Sequence, residues 1–337
     1  VAGLSATILG CEGPHLSPDE ARFFSEAQPW GFILFARNVV DPTQLWALTS
    51  DLRAAVGRDA PILIDQEGGR VQRLRPPHWR QWRPALDQMA QAGPARAARA
   101  MYLRARLIAH ELRAVGIDVN CMPLADVARE TTHPVLKNRL YGSAPDSVIG
   151  AGRAVAEGLV AGGVLPVLKH LPGYGLGEVD SHLTLPRVSA PLEELRRVDF
   201  AAFRPLAHLP LGMTAHIVYE AFGEALPATF SPDMIRLIRD EIGFDGALMT
   251  DDLSMGALPG PIGERAARAR AAGCDLILHC NGDRAEMAPV VAASGTLDGA
   301  ALIRAEAALA LRRDPEPLDI EAAEADLADL LDGEVYG

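Results

Sequence analysis

No CxxC pair, no HExxH, no HxH and no GxGxxG behind the first candidate strand occur in this sequence. The four cysteines, Cys11, Cys121, Cys274 and Cys280, therefore give no support to a zinc ribbon or a thioredoxin-like site. Cys274 and Cys280 bracket the apolar run CDLILHC. As the two ends of a strand they would stand roughly 20 Å apart, too far for a disulfide, and free thiols in a reducing compartment are the expectation. Basic residues are in deficit, 32 Lys and Arg against 44 Asp and Glu, for a net charge of −12. Such a chain is poorly suited to hold nucleic acid or an anionic membrane by long-range charge. No apolar stretch is long enough to span a bilayer. The segment ILGC at residues 8–11 faintly resembles a lipoprotein cleavage site, but it lacks a basic segment before it, and its short apolar run reads as a strand.

What is present is a repeated short apolar run that ends in a polar residue. The runs are SATILG (5–10), GFILFAR (31–37), PILIDQ (61–66), IDVNCMP (117–123), LPVLKH (165–170), LGMTAH (211–216), GALMTDD (246–252) and CDLILHC (274–280). Continuous Ile, Leu and Val runs of this length suit strands buried on both faces of a parallel sheet. Helical patterns alternate with them over 17–28, 41–57, 95–116, 146–163, 191–209, 231–243, 263–273 and 301–313. Ser17, Pro42 and Gly57 are placed as start and stop signals. Eight strands alternating with eight helices predict an α/β fold, a single (β/α)8 TIM-type barrel over residues 1–337 with an acidic helical tail from about 314. An open doubly wound sheet is the alternative.

In such a barrel the chemistry sits at the C-terminal ends of the strands. Read that way, Arg37, Asp65, Asp126, Arg139, Lys169, His170, His216, Asp251, Asp252 and His279 form one ring of mixed charge, as a catalytic pocket requires. The loop LPGYGLGEVDSHLTLP follows strand 5, and its Pro and Gly residues predict mobility and a close backbone approach to a ligand. Asp180 and His182 stand two apart. In an extended segment they face the same way, so the carboxylate can fix the tautomer of the imidazole and favour its protonated form. The pair reads as a proton donor carried on an arm. Glu67, beside two glycines, reads as shaping the turn that aims Arg70 and Arg73. Asp252 reads as a structural partner. Trp79 and Trp82 are read either as sugar-stacking or as packing residues.

The stretch KHLPGYGLGEVDSHLTLP resembles the KHFPGHG…DSH…LP signature of glycoside hydrolase family 3, in its bacterial β-N-acetylglucosaminidase (NagZ-type) branch. GFILFARN, IDQEGGRVQRL, VLKNRLYG, MTDDLSMGA and AGCDLILHCNG agree in the family's order, so the resemblance covers nearly the whole chain. Tyr174 stands where the signature often carries His, and VLKNRLYG matches loosely around Arg139. The resemblance implies a retaining exo-glycosidase that removes terminal GlcNAc, with Asp251 as nucleophile and His182, assisted by Asp180, as general acid and base. It implies Asp65, Arg73, Arg139, Lys169 and His170 as sugar-binding residues, and no metal or organic cofactor. It further implies a carbohydrate substrate, 1,6-anhydromuramyl fragments of cell-wall recycling, met in the cytoplasm, with no nucleic-acid or membrane partner and a monomeric chain. The chemistry agrees. A retaining glycosidase needs a carboxylate nucleophile and a proton donor, and an imidazolium with an unperturbed pKa of about 6.5 already suits the second task. Against this stand a metal-dependent hydrolase, for which ligand spacing is missing, a β-glucosidase or a phosphorylase of the same family, and a non-catalytic sugar-binding barrel.

Overall fold

Eight parallel strands pair with one another in chain order in the computed structural model, which describes residues 3–179, 184–223 and 225–337. They are β1 (Ser5–Gly10), β2 (Pro29–Leu34), β3 (Ile62–Ile64), β4 (Val119–Asn120), β5 (Leu165–Leu171), β6 (Leu211–Thr214), β7 (Ala247–Met249) and β8 (Ile277–His279). β8 pairs with β1, with Ile8 opposite Leu278. A parallel bridge from Met249 to Leu276, with Leu253 N–H donating to the Leu278 carbonyl at 3.0 Å, joins β7 to β8 and closes the barrel. The eight-run reading of the sequence is borne out, although several strands are shorter than the apolar runs that announce them.

Both faces of each strand are buried, which is why the runs are continuously apolar rather than alternating. Ile8, Ile33, Leu63, Val119, Val167, Met213 and Met249 fill the barrel interior, each worth about 1.5–3 kcal/mol on burial if fully removed from water. Leu297, Ala305 and Ala308 join that interior cluster, so the helix Gly299–Ala310 closes the end of the barrel where the strands begin. The strand ends carrying polar residues are left at the opposite face.

The outer helices begin and end where local chemistry dictates. Ser17 accepts from Glu20 N–H while the Glu20 side chain accepts from Ser17 N–H, a reciprocal cap for Pro18–Ala27. Asp41 caps Pro42–Val56, and Gly57 ends it in the left-handed region at φ 65°. Three helix readings need correction. The helix expected from 95 already starts at Ala85 and kinks at Gly93, ahead of Pro94. The single helix expected over 191–209 is broken into Leu192–Arg197, Asp199–Phe203 and a 3-10 turn at Arg204–Leu206. A further helix, Arg284–Ser294, directly follows β8, hidden in the sequence by its internal Pro289 and by the turn residues before it. In the acidic tail, Ile320–Leu330 forms a helix whose Ala323 and Leu327 are buried and whose Glu324 pairs with Arg80 at 2.6 Å.

Candidate active site

A cavity of about 370 Å³ opens at the C-terminal face of the barrel. Asp65, Arg73, Arg139, Lys169, His170 and Asp251 all line it, together with His216 and Asp252. Six of the eight sit on, or within three residues of, the ends of β3, β5, β6 and β7, while Arg73 and Arg139 come from the loops above β3 and β4. The polar ring expected from the sequence is thus largely one site.

Its centre is a buried ion network. Lys169 Nζ donates to Asp65 Oδ1 at 3.0 Å and pairs with Glu67 Oε1 at 2.7 Å. Arg139 grips Glu67 with two parallel bonds of 2.9 and 2.8 Å, the fork-to-fork geometry that fixes both groups. Arg73 Nη2 reaches Asp65 Oδ2 at 3.2 Å. Burial pushes the Glu67 carboxyl up, but Arg139 and Lys169 outweigh it and hold it at about 2. Asp65 is likewise driven below the usual carboxylate range by Lys169 and Arg73 against the opposing effect of burial. Glu67 is therefore a carboxylate at any working pH and cannot serve as a proton donor. It does more than shape a turn, since it is the counter-ion of two buried cations. Gly68, next to it, has φ 108°, and a Cβ there would run into the Arg104 guanidinium and Trp82 Cβ.

Strict alternation along a strand would send Lys169 and His170 to opposite faces. Both line the cavity instead, because the pairing of β5 with β6 slips between Leu168 and Leu171, where the Lys169–His170 peptide is also cis. His170 Nδ1 donates to Asp126 Oδ2 at 2.7 Å, and Asp126 Oδ1 also accepts from Tyr174 N–H at 2.6 Å. Asp126 thereby aims the other ring nitrogen of His170 and anchors the start of the loop after β5.

Asp251 accepts from the Asp252 N–H at 2.8 Å. Burial pushes its carboxyl up, but His216, His170, that N–H and Lys169 together hold it below its ordinary value. His216 Nε2 donates to the Asp252 carbonyl at 3.0 Å, and its Nδ1 lies 2.7 Å from Thr229 Oγ1. Burial lowers its imidazole pKa, and the ring braces the turn that carries Asp251 through the Asp252 carbonyl. Asp252 accepts from Ser254 N–H and Oγ and from Cys280 N–H, a structural engagement, as its sequence context suggested.

Several candidates fall outside the site. Arg37 does not line the cavity. Its guanidinium donates to the carbonyls of Cys11 and Cys280, tying together the ends of β1 and β8. His279 points away from the barrel axis to Glu286, at 3.1 Å, because Leu278 and Cys280 take the cavity-facing positions. Trp79 and Trp82 are buried in the core and stack on no ligand space. Gly175 serves close packing rather than ligand approach, since a Cβ there would collide with the Val127 carbonyl. Asp180 and His182 lie outside the described residues. Sequence reasoning missed Phe35, whose ring sits in the cavity wall with the Arg37 and Arg73 guanidinium carbons each 5.1 Å from its centroid. Met213 and Met255 also line the cavity, and apolar residues at strand ends carry no sequence mark to separate them from core. Among the described residues no three His, Cys, Asp or Glu side chains are grouped to hold a metal ion, and no helix is long and apolar enough to cross a membrane.

A pocket of paired acids and bases at the mouth of a (β/α)8 barrel is the setting of a glycoside hydrolase, and the chain belongs to glycosyl hydrolase family 3, whose N-terminal domain matches residues 15–309. A β-hexosaminidase of Alkalilimnicola ehrlichii is 39% identical over 284 residues, 82% of this chain and 81% of that protein. Among solved structures, NagZ from Neisseria gonorrhoeae is 31% identical with a TM-score of 0.80, each chain being 98% covered. That protein has also been solved in complex with N-trifluoroacetyl-D-glucosamine. A family 3 β-N-acetylglucosaminidase from Paenibacillus sp. is 31% identical with a TM-score of 0.82, covering 97% of this chain and 66% of the other. The chain is a glycoside hydrolase.

Proposed function

We propose that this glycoside hydrolase is a retaining exo-β-N-acetylglucosaminidase acting through a covalent glycosyl-Asp251 intermediate. The observation that carries the reading is the ionised Asp251 carboxylate in a pocket whose other walls are sugar-hydroxyl partners, Asp65, Arg73, Arg139, Lys169 and His170. Such groups can bind a terminal sugar and strengthen their hydrogen bonds as positive charge develops at the anomeric carbon. The names of the relatives favour GlcNAc as that sugar. The natural substrates under this reading are 1,6-anhydromuramyl fragments of cell-wall recycling, met in the cytoplasm.

The direct test is release of p-nitrophenol from its N-acetyl-β-glucosaminide, with the sugar product analysed in the presence and absence of phosphate. Free GlcNAc of retained anomeric configuration is expected in both cases. GlcNAc 1-phosphate would instead identify a phosphorylase, and no turnover at all a binding protein.

His182 is the proposed donor, with Asp180 tuning it. His182→Ala should cost on the order of 10²–10⁴-fold on substrates with poor leaving groups and far less on activated aryl glycosides, which need little protonation. Asp180→Asn should shift the basic limb of the kcat/KM–pH profile downward, because the lost carboxylate favoured the imidazolium. Adding it to His182→Ala should change little further. Equal losses along a leaving-group series, or additive losses with an unmoved basic limb, would rule the pair out as the donor.

A further inference from the structure

Between Glu67 and Arg83 the sequence carries five arginines and one glutamate, in a chain of net charge −12. Three of these arginines are neutralised in the fold. Arg73 pairs with Asp65, Arg80 with Glu111 and Glu324, and Arg83 with Glu334. Arg70 is different. It lines the mouth of the cavity, it is exposed, and among the described residues its guanidinium has no carboxylate partner. Every other cation in that cavity has one, since Arg139 and Lys169 share Glu67 and Asp65.

The backbone at the root of this side chain is fixed. Gly68 and Val71 exchange N–H to carbonyl bonds of 3.0 and 3.2 Å, so Arg70 stands at the tip of a tight turn. Arg75 braces the tip by donating to the Gly69 and Arg70 carbonyls at 3.2 and 3.4 Å. In an exo-acting pocket the terminal sugar occupies the closed end beside Asp65, Lys169 and Asp251, so a residue at the mouth faces the leaving group.

We infer that Arg70 selects leaving groups that carry a carboxylate. This rests on the glycosidase reading above and deepens it. An exposed guanidinium on a rigid turn can meet a carboxylate through two parallel bonds at small ordering cost. The lactyl ether of a muramyl residue and the C-terminus of an attached peptide both offer that group.

The test compares kcat/KM on three substrates with the same leaving oxygen: GlcNAc linked to anhydromuramic acid with its lactyl carboxylate free, the same compound as its methylamide, and the form extended by a dipeptide with a free C-terminus. In the native enzyme a carboxylate-bearing substrate should exceed the methylamide by about threefold to tenfold at low ionic strength, the scale of a partly exposed charge pair. The excess should shrink in about 0.5 M salt. Arg70→Met should bring the ratio near one, while Arg83→Met, which removes an arginine paired with Glu334 outside the cavity, should retain it. The preferred carboxylate arm identifies the source. A ratio near one in the native enzyme, or a ratio that survives Arg70→Met, overturns the inference. Failure of the native enzyme on the neutral p-nitrophenyl glucosaminide overturns the glycosidase reading itself.

Discussion

Asp251→Ala should lower turnover by on the order of 10⁴–10⁶-fold, the scale seen when a covalent nucleophile is removed from a preorganised site, while thermal unfolding and circular dichroism stay close to the native enzyme. The fold should survive because the Asp251 side chain faces the cavity and not the packed interior. Its removal deletes no buried apolar contact, and His216 continues to hold the turn through the Asp252 carbonyl. The residual activity should follow the leaving group, since cleavage of the glycosidic bond is then the only step left to limit it. An activated 2-fluoro glycoside should label the native enzyme on the peptide containing Asp251. Two neighbours make the assignment sharp. Asp252 is already engaged by Ser254 and the Cys280 N–H, and Glu67 is locked between Arg139 and Lys169. Mass spectrometry that placed the label on either would overturn the role given to Asp251.

The strand count and most of the polar ring were legible in the sequence because a strand buried on both faces leaves a continuous apolar run, and the residue ending such a run lies at the mouth of the barrel by geometry alone. Asp65, Lys169, His216 and Asp251 follow that rule directly. Legibility failed where it depended on side-chain direction. Arg37 and His279 end apolar runs too, yet one turns to the backbone carbonyls of neighbouring strand ends and the other to an outer helix. His170 reaches the pocket only through the irregular pairing of β5, which no periodicity announces. Glu67 was misjudged for another reason. Its partners Arg139 and Lys169 lie 72 and 102 positions away, and only the closed barrel brings them together. Phe35 and the two methionines of the wall look, in sequence, like any core residue.

That same network sets the largest expected effect on stability. Glu67→Gln keeps the volume of the side chain but leaves Arg139 and Lys169 to share the single carboxylate of Asp65. Breaking one partner out of a buried charge cluster costs about 3–5 kcal/mol, because the uncompensated cations remain in a poorly solvated place. The depressed titration of Glu67 points the same way. A carboxyl held at about 2 in the folded chain, against 4.5 when free, contributes about 3 kcal/mol to folding near neutral pH. The sign follows from the depressed value: the contribution is fully present above about pH 5 and is lost as pH falls from there toward 2. Urea unfolding at pH 7 should therefore place the variant about 3 kcal/mol below the native protein, and the gap should narrow steadily between about pH 5 and pH 2. Arg139→Met should behave oppositely in combination. With Glu67 already replaced by Gln, removing the arginine deletes a charge that has lost its partner, so the double variant should be no less stable than Glu67→Gln alone. A gap that stays constant with pH, or strictly additive losses in the double variant, would mean that Glu67 stabilises the barrel by packing and that the ion network is not what holds Lys169 and Arg139 in the sugar pocket.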